Sequence, residues 1–192
     1  MGRISAYFYF KVLALIFSAI GSQRLELIET EAQYSIWYDS SSGSYCCQIE
    51  DVNGIIIHIE KSPTLGIAYI DNEKSVLEVS TIAGSGIRLV KYCDLIGGVV
   101  SKQFISPVLA EDGIVVFCEY EDGMSAPKIR IEEMFLSGLL AEQPLYDFAP
   151  LADPHLGIME IAKDGEVVFL TYLSGENFTP KKIEIQLSNA AN

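Results

Sequence analysis

Leu109 to Tyr120 reads LAEDGIVVFCEY, and Ile161 to Tyr172 reads IAKDGEVVFLTY. The second stretch repeats the first at an offset of 161 − 109 = 52 residues. Each holds an Asp-Gly pair, Asp112-Gly113 and Asp164-Gly165, between apolar runs. Gly accepts positive φ without steric cost, so such a pair favours the tight primed turns of β-hairpins. The runs that follow, Ile114 to Phe117 and Val167 to Leu170, are β-branched and aromatic, which suits a pleated buried surface. They are nearly continuous rather than alternating, which predicts strands covered on both faces. A second turn follows each run, at Glu121-Asp122-Gly123 and at Ser174-Gly175. Alternating strands come next, Pro127 to Ile131 and Pro180 to Ile185. Each unit therefore predicts a strand, an Asp-Gly turn, a buried strand, a turn and an amphipathic strand.

Weaker copies precede these two. Aligning on tyrosine places Tyr38, Tyr69, Tyr120 and Tyr172 in one column. Two residues earlier stand the apolar Ile36, Ile67, Cys118 and Leu170, and two later the turn formers Ser40, Asp71, Asp122 and Ser174. Repeats of roughly 40 to 50 residues with several strands each mark a β-propeller. The expected fold is all-β, a β-propeller-like array of about four antiparallel blades. Four is the low end of that fold's range, and a fragment of a larger propeller is a further possibility. The spacing predicts a first unit over Tyr34 to Ile59, with an Asn53-Gly54 turn, and a second over Gly66 to Cys93. Leu25 to Thr30 alternates as a strand that could complete the last blade of a ring. The connector Leu136 to Pro154, with three prolines, is expected to be mostly irregular, with a helical turn at Leu139 to Glu142.

The pattern apolar-Ala-x-Asp-Gly-x-x-apolar-apolar-x-Tyr resembles the blade repeat of secreted β-propellers loosely related to sialidase-like and BNR-type proteins. Leu109-Ala110-Glu111-Asp112-Gly113 with Val115, Val116 and Tyr120 carries the resemblance, as does Ile161 to Tyr172. Pro63 to Asp71 matches only its end. The resemblance implies a fold, and propellers host both enzymes and binding proteins. The Asp box of sialidases, Ser-x-Asp-x-Gly-x-Thr-Trp, is absent, and the only tryptophan is Trp37. A sialidase also clamps its substrate with three arginines. Outside the leader only Arg24, Arg88 and Arg130 occur, in contexts that match no such clamp.

Residues 1–21 read as a signal peptide. Arg3 and Lys11 supply positive charge, Val12 to Ile20 is an apolar core, and Ala19-Ile20-Gly21 offers small residues for cleavage. The rival reading is an uncleaved anchor, although the apolar core is shorter than the roughly 20 residues of a spanning helix. Residues 22–192 then form the propeller-like domain of a secreted or periplasmic protein, with no membrane contact after cleavage. The net charge is −13, and loss of Arg3 and Lys11 takes it to about −15. That argues against nucleic acid as a partner, because phosphate backbones need basic patches.

Chemistry-bearing motifs are sparse. His58 and His155 share no metal-ligand spacing, no Gly-x-Ser-x-Gly elbow occurs, and Gly84-Ser85-Gly86 reads as a turn rather than a phosphate loop. No cofactor or metal is expected. Acidic turns such as Asp71-Asn72-Glu73 are explained by local hydrogen bonding. Cys118 falls in an apolar column and reads as a small buried hydrophobe. Adjacent Cys46 and Cys47 should face opposite sides of a strand. The residues that break the repeat are Trp37 and Glu119, in one column with Ala68 and Thr171. An aromatic and an acid suit recognition of a protein or glycan ligand, so the expected function is binding and the candidate ligand-binding residues are Trp37 and Glu119. The alternative is a glycoside hydrolase of sialidase-like type, which needs two carboxylates at a defined separation.

Overall fold

The computed structural model describes residues 25–120, 126–136, 138–151 and 154–188. The expected signal peptide lies outside them. The described chain is all-β, with two short 3-10 turns and no α-helix. Four antiparallel sheets follow one another in chain order. The first holds β1 (Leu25–Thr30), β2 (Tyr34–Asp39), β3 (Ser44–Glu50) and β4 (Ile56–Ser62). The second holds β5 (Gly66–Tyr69), β6 (Val76–Ile82) and β7 (Arg88–Asp94), then β8 (Val99–Val100) and β9 (Phe104–Ile105), both paired to β7. The third is β10 (Pro107–Glu111), β11 (Ile114–Glu119), β12 (Lys128–Glu133) and β13 (Leu139–Pro144). The fourth is β14 (Ile158–Asp164), β15 (Val167–Ser174) and β16 (Thr179–Gln186). First strands start at residues 25, 66, 107 and 158, steps of 41 (66 − 25), 41 (107 − 66) and 51 (158 − 107).

Three apolar clusters join the sheets in sequence. Tyr34, Ile36, Cys47 and Ile49 of the first sheet meet Leu77, Val79 and Cys93 of the second. Val90, Tyr92 and Phe104 of the second meet Val115 and Met134 of the third. Val116, Cys118, Ile129 and Ile131 of the third meet Val168, Leu170, Tyr172 and Ile185 of the fourth. Each inner sheet is thus buried on both faces, which explains the nearly continuous apolar run Ile114 to Phe117. Among the described residues, none of these clusters contains residues of both the first and the fourth sheet.

The matched Asp-Gly pairs do not make the same turn. In the third sheet the loop is Asp112-Gly113 between paired Glu111 and Ile114. Both loop residues have positive φ, +46° and +75°, as a type I′ turn requires. In the fourth sheet Asp164 still belongs to the strand and pairs with Val167, so the loop is Gly165-Glu166 with Gly165 at φ +58°. The copied turn comes one residue later. A one-residue move exchanges the two faces of a strand. Val116 and Cys118 therefore point forward to the fourth sheet, while their counterparts Val168 and Leu170 point back to the third.

Three expectations are corrected. Leu25–Thr30 pairs with β2 in its own sheet instead of completing the last one, because Leu25 to Leu27 register against Asp39 to Trp37. Leu139 to Glu142 is the strand β13 rather than a helical turn. Its backbone pairs with β12, and Leu140 packs into the core between the third and fourth sheets. The tyrosine column also breaks at the second unit. Tyr69 ends β5, the first strand of its sheet, whereas Tyr38, Tyr120 and Tyr172 stand on or just after second strands. The true counterpart is β6, which carries no tyrosine. The column differs in burial too, from Tyr172 at 2% exposed to Tyr120 at 52%.

Candidate functional site

The second sheet loses its regular outer strand at Ser101 to Gln103, between β8 and β9. Buried Ser101 bridges the break: its amide bonds the Tyr92 carbonyl at 2.8 Å, and its hydroxyl accepts the Tyr92 amide at 2.9 Å. That keeps the backbone satisfied where the ladder stops. The break sends Lys102 toward the third sheet, where its ammonium pairs with Glu132. Two residues later Phe104 returns to the core, 2% exposed. Ser106 then holds φ +44°, a region that non-glycine residues seldom take. Its amide bonds the Arg88 carbonyl at 2.6 Å, which fixes it there.

Opposite this break stands the charged face of the third sheet. Pairing sets Glu119 beside Lys128, Phe117 beside Arg130 and Val115 beside Glu132. With period two, Lys128, Arg130 and Glu132 share the side that faces the second sheet. Glu142 on β13 completes the row opposite Arg130. Arg130 bridges Glu119 at 3.3 Å and Glu132 at 3.0 Å, and Lys128 bridges Glu119 at 3.0 Å and Glu142 at 3.2 Å. Burial by itself would raise the Glu119 carboxyl. The hydrogen bond from Lys128 and the charge of Arg130 outweigh it and hold the group below the usual carboxylate range. The Arg130 guanidinium lies 6.0 Å from the Phe117 ring centre, and the Lys102 ammonium 5.2 Å from that of Phe104. The two rings meet edge to face at 5.8 Å.

Between these walls lies a cleft of about 530 Å³. Its lining includes Lys102, Phe104, Phe117, Glu119, Arg130 and Glu132, with Tyr120 and His155 at its margin. Apolar walls with a few convergent polar groups are the usual make-up of a small-ligand site.

Of the two expected ligand residues, Glu119 is in the cleft and Trp37 is not. Trp37 registers with Leu27 and Cys46, on the face of the first sheet turned away from the second. Thr171, of the same column, is turned away from the third sheet. The column does not line one surface, because successive sheets use its letters on different faces. The partners of Glu119 were missed as site residues. Their signal was the alternation Lys128-x-Arg130-x-Glu132 on a strand otherwise made of core residues.

The other singled-out groups have structural roles. His58 pairs with Glu60 at 3.1 Å, and Arg88 with Glu78 at 2.6 Å. Asp71 accepts the Ser75 amide at 2.9 Å inside its own turn. Gly84 to Gly86 forms a 3-10 turn between β6 and β7. Cys118 is a buried core residue, and Cys46 and Cys47 lie on opposite faces of β3. Among the described residues no cluster of three His, Cys, Asp or Glu side chains could hold a metal ion, and no helix is long and apolar enough to cross a membrane. No protein-family model and no curated protein matches the chain.

Proposed function

We propose that this chain is an exported β-propeller-type binding protein, and that it takes a neutral, polyhydroxylated ligand, a glycan, in the cleft between its second and third sheets. The observation that carries the reading is the composition of that cleft. Its lining cations Lys102 and Arg130 are matched by Glu119 and Glu132, and the row continues beyond the cleft with Lys128 and Glu142. A charge-balanced row attracts no ion strongly, yet its donors and acceptors are held in place for hydroxyl groups. At the margin, Tyr120 is 52% exposed and presents a ring on which the apolar face of a sugar can rest. Export rests on the leader-like sequence of residues 1–21, and the propeller assignment on four chain-ordered sheets together with the Asp-Gly repeat.

The glycosidase reading is less well supported. Glu119 and Glu132 do line one cleft, but a general acid must keep its proton near working pH. Glu119 is held ionised by two cations. Arg88 and Arg130 are engaged with protein carboxylates rather than offered to a substrate carboxylate. A glycan array probed with the full chain tests the proposal, alongside Tyr120→Ala. The expected result is retention of a neutral glycan, weakened about tenfold by the substitution, or about 1.4 kcal/mol. An array without retention, or turnover of fluorogenic glycosides that disappears in Glu119→Gln, would overturn it.

A further inference from the structure

Among the described residues the fourth sheet lacks the outer strand that follows the third strand in the other sheets. The three before it have an outer strand after their third, namely β4, β8 with β9, and β13, while the fourth ends at β16. β16 is eight residues long, TPKKIEIQ, and largely exposed. Among the described residues β15 is its only strand neighbour. Beyond its end, Leu187 donates its amide to the Glu166 carbonyl of the inner neighbour at 2.9 Å. Backbone groups alternate in direction along a strand, so those of Lys182, Glu184 and Gln186 point to the open edge. An edge of this length with free backbone groups is a template for another strand.

We propose that the occupant is β16 of a second copy, paired antiparallel about a two-fold axis through Ile183. The sequence around that residue is its own complement. Read in opposite directions, Lys182-Ile183-Glu184 sets Lys182 of each copy beside Glu184 of the other. Both residues stand on the face of the sheet turned away from the core, and both are exposed. Neither has an ion-pair partner among the described residues; Lys182 only lies over the Phe169 ring at 4.9 Å. The charges also fix the register. Strands can pair only where outward-pointing residues meet, which allows steps of two. One step either way sets Lys182 against Lys182 or Glu184 against Glu184, and like charges directly opposite are unfavourable.

The competing role of edge lysines is to keep other strands away. Here Lys181 is taken up by Asp147 at 2.6 Å, and Lys182 is followed two residues on by an acid, so the edge is not of one sign. Pairing joins the two fourth sheets into one six-stranded sheet, with the same patch used by both copies as a closed two-fold dimer requires. Pro180 has no amide to give, which ends the paired stretch.

Sedimentation equilibrium of the full chain over a range of concentrations tests this, with Lys182→Glu, Glu184→Lys and the double exchange. All three changes lie on an exposed face and leave the core intact. The expected result is a reversible dimer, with each single substitution raising its dissociation constant roughly tenfold by turning two attractive cross-strand pairs repulsive. The double exchange should restore it to within about threefold. A chain that stays monomeric at all concentrations overturns the proposal. So does a dimer indifferent to the single substitutions, or one that the double exchange weakens further.

Discussion

Asp39 shows how one side chain sets a turn. It is fully buried. Its carboxylate accepts the Ser41 amide at 3.0 Å, the hydroxyls of Ser41 and Ser42, and the Lys61 ammonium at 2.9 Å. These bonds, led by Ser41 and Lys61, hold its carboxyl well below the usual range. Asp51 acts alike, accepting the amides of Asn53 and Ile55, and is also lowered. A group whose folded pKa is depressed contributes stability above its unfolded value of about 3.9, and that contribution is lost as pH falls below it. Thermal melts from pH 7 to pH 2 should therefore show Asp39→Asn clearly less stable at pH 7. The gap to the parent should begin to narrow below about pH 4 and keep shrinking toward pH 2, because the contribution is lost progressively down to the depressed folded value. A gap of equal size at both ends would mean that the ionised carboxylate is not what holds the Ser40 to Gly43 turn.

Among the elements, the two Asp-Gly hairpins are the most informative. A Cβ placed on Gly113 or Gly165 would meet nothing within 4 Å, so backbone strain is the main cost of a larger residue there. A β-branched residue at positive φ is strained, while Asn tolerates the left-handed region. Gly113→Val and Gly165→Val should each destabilise by roughly 1 to 3 kcal/mol in urea melts, and the matching Asn variants by clearly less. Equal effects of Val and Asn would show that the left-handed turn is not the constraint. The same hairpins explain the broken ligand column. One residue of shift in the turn turns Thr171 away from the third sheet, although Glu119 at the matched position faces the cleft.

At the scale of the molecule, stability resides in the cores between sheets rather than within any one sheet. Cys47, 1% exposed, and Cys93, fully buried, share the core of the first and second sheets. Burial pushes their thiols up, to about 11 and about 12. The reactive species is the thiolate, so both should be inert toward a disulfide reagent at pH 8 in the native protein. In urea all four cysteines of the chain should react. Modification of Cys47 or Cys93 in the native protein at the rate of a free thiol, located by mass spectrometry, would show that the first two sheets do not pack as described.

Local chemistry alone determined the all-β class, the number and order of the units, most strand positions and the positive-φ glycines. These depend on turn residues and on period-two or continuous apolar patterning, which act over a few residues. Glu119 was legible as an exception to the repeat. Its setting was not, because Arg130 and Glu132 come to line the candidate cleft only when the third sheet faces the break at Ser101 to Gln103. Tertiary structure also decided the face on which each repeated letter falls, separating Trp37 from Glu119. Matching letters do not report a one-residue shift in a turn, and such a shift moves every side chain of a strand to the opposite side.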